Sequence, residues 1–208
     1  MSNTVTAEPR RHLGGRPADR VERLVDAAVE ELRDGGYDGL TVRNVARRAG
    51  LAPATAYNYF ASKDHLVSEV FWRRLQALPE PEVDPHSPVR ERAERAIREV
   101  AMVVADEPEL SAACTNAMLA GDPDVKLLRD RIGAAIHHRI AVALGDDADA
   151  SVVRAFDLLY SGAMLQAGMG HLSYDELGDR LSEVATLLLG TGLLGPRPSE
   201  PRARETRS

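Results

Sequence analysis

The sequence predicts an all-α protein, with an N-terminal three-helix domain containing a helix-turn-helix and a C-terminal helical domain. Three observations point to this class. Apolar residues recur with a helical period along most of the chain, and no stretch shows persuasive strand alternation. Aromatic residues make up only 4% of the 208 residues, so the interior is mostly Ala, Leu, Val and Met, a composition that suits packed helices better than sheets. Two short periodic stretches, Thr41–Ala49 and Pro53–Tyr59, are joined only by Gly50, Leu51 and Ala52. So short a turn forces two helices to cross steeply.

The elements follow in order. Residues 1–17 are polar and carry Arg10, Arg11 and Arg16, and are expected to form a flexible basic arm able to reach DNA. Ala18–Leu32 is amphipathic through Val21, Leu24, Val25, Ala28 and Leu32, and is expected to stop at Gly35-Gly36, because glycine readily takes a left-handed cap conformation. Thr41 is placed to cap the second helix. Pro53 suits the first turn of the third, where its missing N–H would have no partner anyway. Ser62 is the expected cap of a fourth helix, Lys63 to about Leu78, with Asp64 favourable in its first turn. Pro79, Pro81, Pro85 and Pro88 then break the pattern. Further helices are expected over Val89–Asp106, Glu109–Ala120, Asp122-Pro123 to about Leu144, Ala148–His171 and Tyr174–Leu189. These expectations divide the chain into an arm (1–17), a head (18–62), a helical body (63–194) and a disordered tail (195–208).

The head carries the chemistry. Val45, Ala49, Leu51, Ala56 and Phe60 would lock the two short helices together, leaving Pro53, Ala54, Thr55, Tyr57, Asn58 and Tyr59 on the other face. Asn58 could pair with adenine, Thr55 could touch a thymine methyl, and Arg43 could fork onto guanine. Thr41, Tyr57, Tyr59 and Lys63 suit phosphate contacts, which set register. Charge agrees with this reading. The net charge is −6, yet residues 1–79 carry +2 and residues 80–208 carry −8. The window from Thr41 to Lys63 holds Arg43, Arg47, Arg48 and Lys63 and no acid. An acidic body with one basic patch meets phosphate only at the patch.

The run from Leu40 to Leu66, LTVRNVARRAGLAPATAYNYFASKDHL, resembles the DNA-binding domain of TetR-family repressors. The preceding Gly36-Tyr37 matches too, and the block formed by Tyr57, Tyr59, Phe60, Ser62, Lys63 and Leu66 is specific. The likeness covers roughly residues 18–75. It implies an all-α homodimer, double-stranded DNA with a palindromic operator as partner, and an inducer pocket in the C-terminal half. Ala52 departs from the pattern, which commonly has serine or threonine there; alanine can neither cap the recognition helix nor bond a phosphate through its side chain.

In the second half, the last two helices are apolar on more than one face, which calls for cover on all sides. Leu158, Leu159, Gly162, Gln166, Leu181, Val184 and Leu188 are the candidate interface of a four-helix, two-fold contact. Phe71, Trp72, Met102, Cys114, Met118, Phe156, Tyr160 and Met164 are candidate contacts for a small, apolar effector, the usual lining of a ligand pocket. His137 and His138 point about 100° apart on a helix and make a poor metal pair. Lone Cys114 permits no internal disulfide. No cofactor, metal or enzymatic activity is expected, since no phosphate loop, paired catalytic carboxylates or nucleophile elbow occurs. No apolar run is long enough for a membrane span, and a cytoplasmic location is expected. A ligand-independent regulator or activator stays open as an alternative, and an enzyme is a more distant one.

Overall fold

A computed structural model describes residues 17–190 apart from Glu82, Pro85, Asp146 and Asp147. The expected arm and tail therefore lie outside the described residues, save Pro17. Among the described residues there are nine helices and no strand: α1 (Pro17–Gly39), α2 (Val42–Arg48), α3 (Pro53–Tyr57), α4 (Lys63–Ala77), α5 (Val89–Ala105), α6 (Pro108–Met118), α7 (Pro123–Leu144), α8 (Ala150–Gly168) and α9 (Tyr174–Gly190).

The first helix is where sequence and structure differ most. It does not stop at the glycine pair. It kinks at Gly36, where φ is 62° and ψ −174°, and resumes to Gly39. The left-handed backbone that glycine tolerates is used here as a bend that brings Tyr37 onto the start of α4. Four helix starts, those of α2, α4, α7 and α8, are capped by side chains close in sequence, at Thr41 and Ser62 as expected. Thr41 and Ser62 accept the backbone N–H of Asn44 and His65, each at 3.1 Å. Asp122 and Asp149 accept those of Asp124 and Ser151, each at 2.8 Å. Each satisfies a donor that the first turn of its helix leaves unpaired. The recognition helix α3 is shorter than expected, with Asn58 as its C-cap.

One continuous core runs from Leu24 on α1 through Phe71, Ile97, Ile140 and Phe156 to Ala185 on α9. α5 and α9 are joined at their rim by Arg98 to Asp179 (2.8 Å) and Thr186 to Glu94 (2.7 Å). Gly178 allows this approach, because a Cβ there would meet the Arg98 guanidinium at 3.0 Å. Gly168 has the same role between α8 and α6, where a Cβ would strike the Thr115 side chain.

The head is tied to the body by Glu107, just before α6. Its carboxylate takes two hydrogen bonds from Arg33 of α1, at 3.0 and 2.7 Å, and another from Arg74 of α4. Burial pushes the Glu107 carboxyl up, but the hydrogen bonds from Arg74 and Arg33 outweigh it and hold it below the usual carboxylate range. A group depressed in the folded state contributes stability above its unfolded value and loses it as pH falls. Stability to urea should therefore decline between about pH 5 and pH 3. Glu107→Gln should flatten part of that decline, and an unchanged slope in the variant would remove Glu107 as its source.

Candidate nucleic-acid interface and effector cavity

The helix-turn-helix is assembled from the residues its sequence named. Val45, Ala49, Ala56 and Phe60 are buried between α2 and α3, with Leu51 half-buried against them. Gly50 makes the turn at φ 65°, a conformation that costs other residues roughly 1–2 kcal/mol. The Arg23 guanidinium donates to the Ala49 carbonyl and so covers the end of α2. A Cβ on Gly50 would sit 3.1 Å from that guanidinium. Ala52 makes no side-chain cap and Pro53 occupies the first turn. The start of the recognition helix thus has only backbone to offer.

The outer face of this unit is open. Thr41, Arg43, Pro53, Ala54 and Asn58 are exposed, and Thr55 and Tyr59 are half-buried. Tyr57 is 53% exposed, which excludes a core role for its ring. Thr41 spends its oxygen as an acceptor on the Asn44 N–H and keeps its O–H to donate outward.

Two of the four basic residues in the acid-free window are engaged internally. Arg48 bonds to Glu31 at 2.7 Å, to Glu30 at 3.4 Å and to Asp34, and the first two of its strongest partners, Glu31 and Asp34, raise its already high pKa. Lys63 donates to the Tyr37 carbonyl at 2.9 Å and lies 3.9 Å over the Tyr37 ring, a cation–π contact. Two N–H donors of its ammonium remain for other partners. Burial, then the hydrogen bond to Asp64, raises the Tyr37 phenol and keeps it neutral. Arg43 and Arg47 are exposed and form no ion pair among the described residues. The kink at Gly36 is what delivers Tyr37 to this clamp.

Below the head, the caps of α4 and α7 are linked. Ser62 donates to Asp122 at 2.6 Å while accepting from His65. That bond, with the backbone N–H groups of Asp124 and Val125, holds the Asp122 carboxyl below its usual range against a smaller effect of burial. His65 packs edge-on against Phe60 with centroids 5.4 Å apart, and its Nδ1 lies 3.9 Å from the Asp124 carboxylate.

α7 leads from this cap along a cavity of about 710 Å³ shared with α4, α6 and α8. Phe71, Cys114, Met118, Tyr160 and Met164 line it, as the sequence suggested. Burial pushes the Cys114 thiol up to about 12, the dominant effect, so it stands in the wall as a small neutral hydrophobe. Three expected residues do not line the cavity. Phe156 is fully buried in the core, Trp72 packs half-buried on α4, and Met102 is 46% exposed on α5. Sequence reading missed the contribution of α7: Arg129, Ile132, Gly133, Ile136 and His137. Their spacing by three and four residues marks one helix face and was available as a signal. His137 does not pair with His138; its Nδ1 lies 2.8 Å from the Asp157 carboxylate.

The expected interface residues also divide. Leu158 is 74% exposed, Gly162, Gln166 and Val184 are exposed, and Leu159 and Leu188 are half-buried. Leu181 is a correction. It is fully buried with Leu177 and Ala185 in the subunit's own core, because those residues share the face of α9 turned to α5. Leu187, 62% exposed, joins the outward set instead.

Comparison with known proteins agrees with this geometry. Residues 24–70 match the family model described as bacterial regulatory proteins, tetR family. An HTH-type transcriptional regulator of Mycobacterium tuberculosis is 47% identical over 169 residues, covering 80% of this chain and 79% of that protein. The HTH-type transcriptional repressor KstR of Rhodococcus jostii is 26% identical over 184 residues, 86% of each chain. Among solved structures, the transcriptional regulator FadR of Bacillus subtilis in complex with stearoyl-CoA superposes with a TM-score of 0.58 at 17% identity, over 79% of this chain and 96% of that one. With its open helix-turn-helix face and helical body, the chain belongs to the tetR family of bacterial transcriptional regulators.

Proposed function

We propose that this protein is a homodimeric, cytoplasmic repressor that binds a palindromic operator and is released by a small, largely apolar effector. The observation that carries the reading is the exposed face of α3 with Arg43 beside it, on a head linked at two places, Glu107 and Ser62–Asp122, to helices around a 710 Å³ cavity. In this reading the head is residues 18–62, the body is 63–194, and α4 connects them. The same protein–DNA face serves a ligand-independent activator, but such a regulator has no use for the cavity.

Dimerisation rests on the outer face of α8 and α9. Leu158, Val184 and Leu187 are large, apolar and exposed there, and a second copy is the natural cover for such a patch. The dimer sets two recognition helices about 34 Å apart, or at a larger fitting spacing. The effector preferentially stabilises another spacing and so lowers DNA affinity. The relatives are consistent with this reading, since one is a repressor by name and a structural neighbour holds stearoyl-CoA.

The test is selection of bound fragments from the source genome followed by footprinting. An inverted repeat protected by a dimer is expected, and a single unrepeated half-site would overturn the proposal. Leu158→Glu should sediment as a monomer and lose at least about tenfold in operator affinity, because a buried, unpaired carboxylate opposes the contact. A wild-type protein that sediments as a monomer, or a variant that remains dimeric, would remove this face as the interface.

A further inference from the structure

The geometry points to a specific effector class: an elongated apolar molecule with an anionic group at one end only, the anion meeting Arg129. This inference rests on the effector reading above and deepens it. Arg129, Ile132, Gly133, Ile136 and His137 form one stripe of α7, and Asp157, Tyr160, Ser161, Met164 and Leu165 form the facing stripe of α8. Each runs over nine residues, eight helical steps, about 12 Å of helix. The 2.8 Å contact of His137 with Asp157 fixes the alignment. The helices run in opposite directions, so His137 and Asp157 mark one end, and Arg129 lies toward Leu165 at the other.

The two ends carry opposite preferences. Arg129 is exposed at its end, with Leu119 and Leu165 beside it, also exposed. It donates through Nη2 to the Ala120 carbonyl at 2.7 Å and makes no ion pair among the described residues. An arginine carries five donors in a planar fork suited to carboxylate or phosphate, so most of this fork is available. At the far end the one cationic candidate among the described lining residues, His137, is already bonded to Asp157, and that carboxylate disfavours a second anion. Between the ends the floor is Cys114, Ile132, Ile136 and Tyr160, all buried. Gly133 leaves this channel open at mid-length, since a Cβ added there meets nothing within 4 Å. An apolar body therefore gains from burial, and charge orients it.

A free carboxylic acid and the thioester of such an acid with an anionic carrier share this chemistry. The test uses decanoic acid, decanol, decanedioic acid and decanoyl-CoA, with binding read by calorimetry and release read as anisotropy of labelled operator DNA. Decanoic acid or decanoyl-CoA should bind at least about tenfold more tightly than decanol, the scale of one charge-assisted contact. Whichever of the two binds better identifies the source of the anion. Decanedioic acid should bind more weakly than the preferred mono-anion. Arg129→Gln should erase the preference for the anion while leaving decanol binding intact, and Gly133→Leu should weaken all four by filling the channel. Equal binding of acid and alcohol, or an anion preference that survives Arg129→Gln, overturns the assignment. So does failure of all four to bind. An Arg129-dependent preference without release of DNA would uphold the ligand class and overturn the repressor mechanism instead.

Discussion

The double variant Arg43→Ala, Thr55→Ala is expected to lose operator-specific binding and to keep its fold. Both side chains stand on the open face of the head; Arg43 is exposed and pairs with no acid among the described residues, and Thr55 is half-buried. Each base contact of this kind is worth about 1–3 kcal/mol of discrimination. Together they should cost at least about thirtyfold in affinity for the operator, with far less change on unrelated DNA. The comparison that decides is an anisotropy titration on both DNAs at one salt concentration, because phosphate binding is strongly salt-dependent. Equal losses on the two sequences would reassign Arg43 and Thr55 to phosphate, and no loss would move the reading face elsewhere. Lys63→Ala should behave differently. Its ammonium braces Tyr37 across the kinked end of α1, so thermal stability should fall along with DNA affinity.

The largest expected loss of stability follows Phe156→Ala, about 3–5 kcal/mol. Phe156 is fully buried on α8, one turn from Tyr160 in the cavity wall, and faces the core rather than the cavity. Removing the ring deletes its apolar burial and leaves a void that the surrounding helices only partly close. Against a typical total of about 5–15 kcal/mol, much of the margin is removed, and urea denaturation should show it as a lowered midpoint with a similar slope. Met164→Ala, at a half-buried position in the cavity wall, should cost markedly less. A Phe156→Ala protein as stable as wild type would mean that the ring is not the centre of this core.

Much of the fold was legible because its signals are local. A cap such as Thr41 or Ser62 acts on donors three residues away, and a proline acts on its own turn, so the starts of α2, α3, α4, α6 and α7 could be read directly. The kink at Gly36 was not legible. A glycine pair can end a helix or bend it, and here the choice depends on Lys63 and Asp64, which hold Tyr37 from 26 and 27 residues away. The candidate site divides the same way. The exposed face of α3 follows from a short turn and small residues. The cavity needs four helices side by side, and aromatic or sulfur character alone could not tell lining from core. Phe156 and Tyr160 are similar in type and one turn apart, yet only Tyr160 reaches the cavity.

The open face of the helix-turn-helix was determined by the sequence itself. Capping, turn geometry and helical period act within a few residues, and together they leave Arg43, Thr55 and Asn58 facing outward whatever the rest of the chain does. Which basic residues remain free was decided only in three dimensions. Arg48 is neutralised by Glu30, Glu31 and Asp34 of α1, and Lys63 is braced on Tyr37. Charge in a linear window counts residues, whereas DNA meets only those that distant partners have not already taken. The cavity, with Arg129 at one end and Asp157 at the other, is likewise a product of packing, because opposite ends of two antiparallel helices become neighbours only when the body folds.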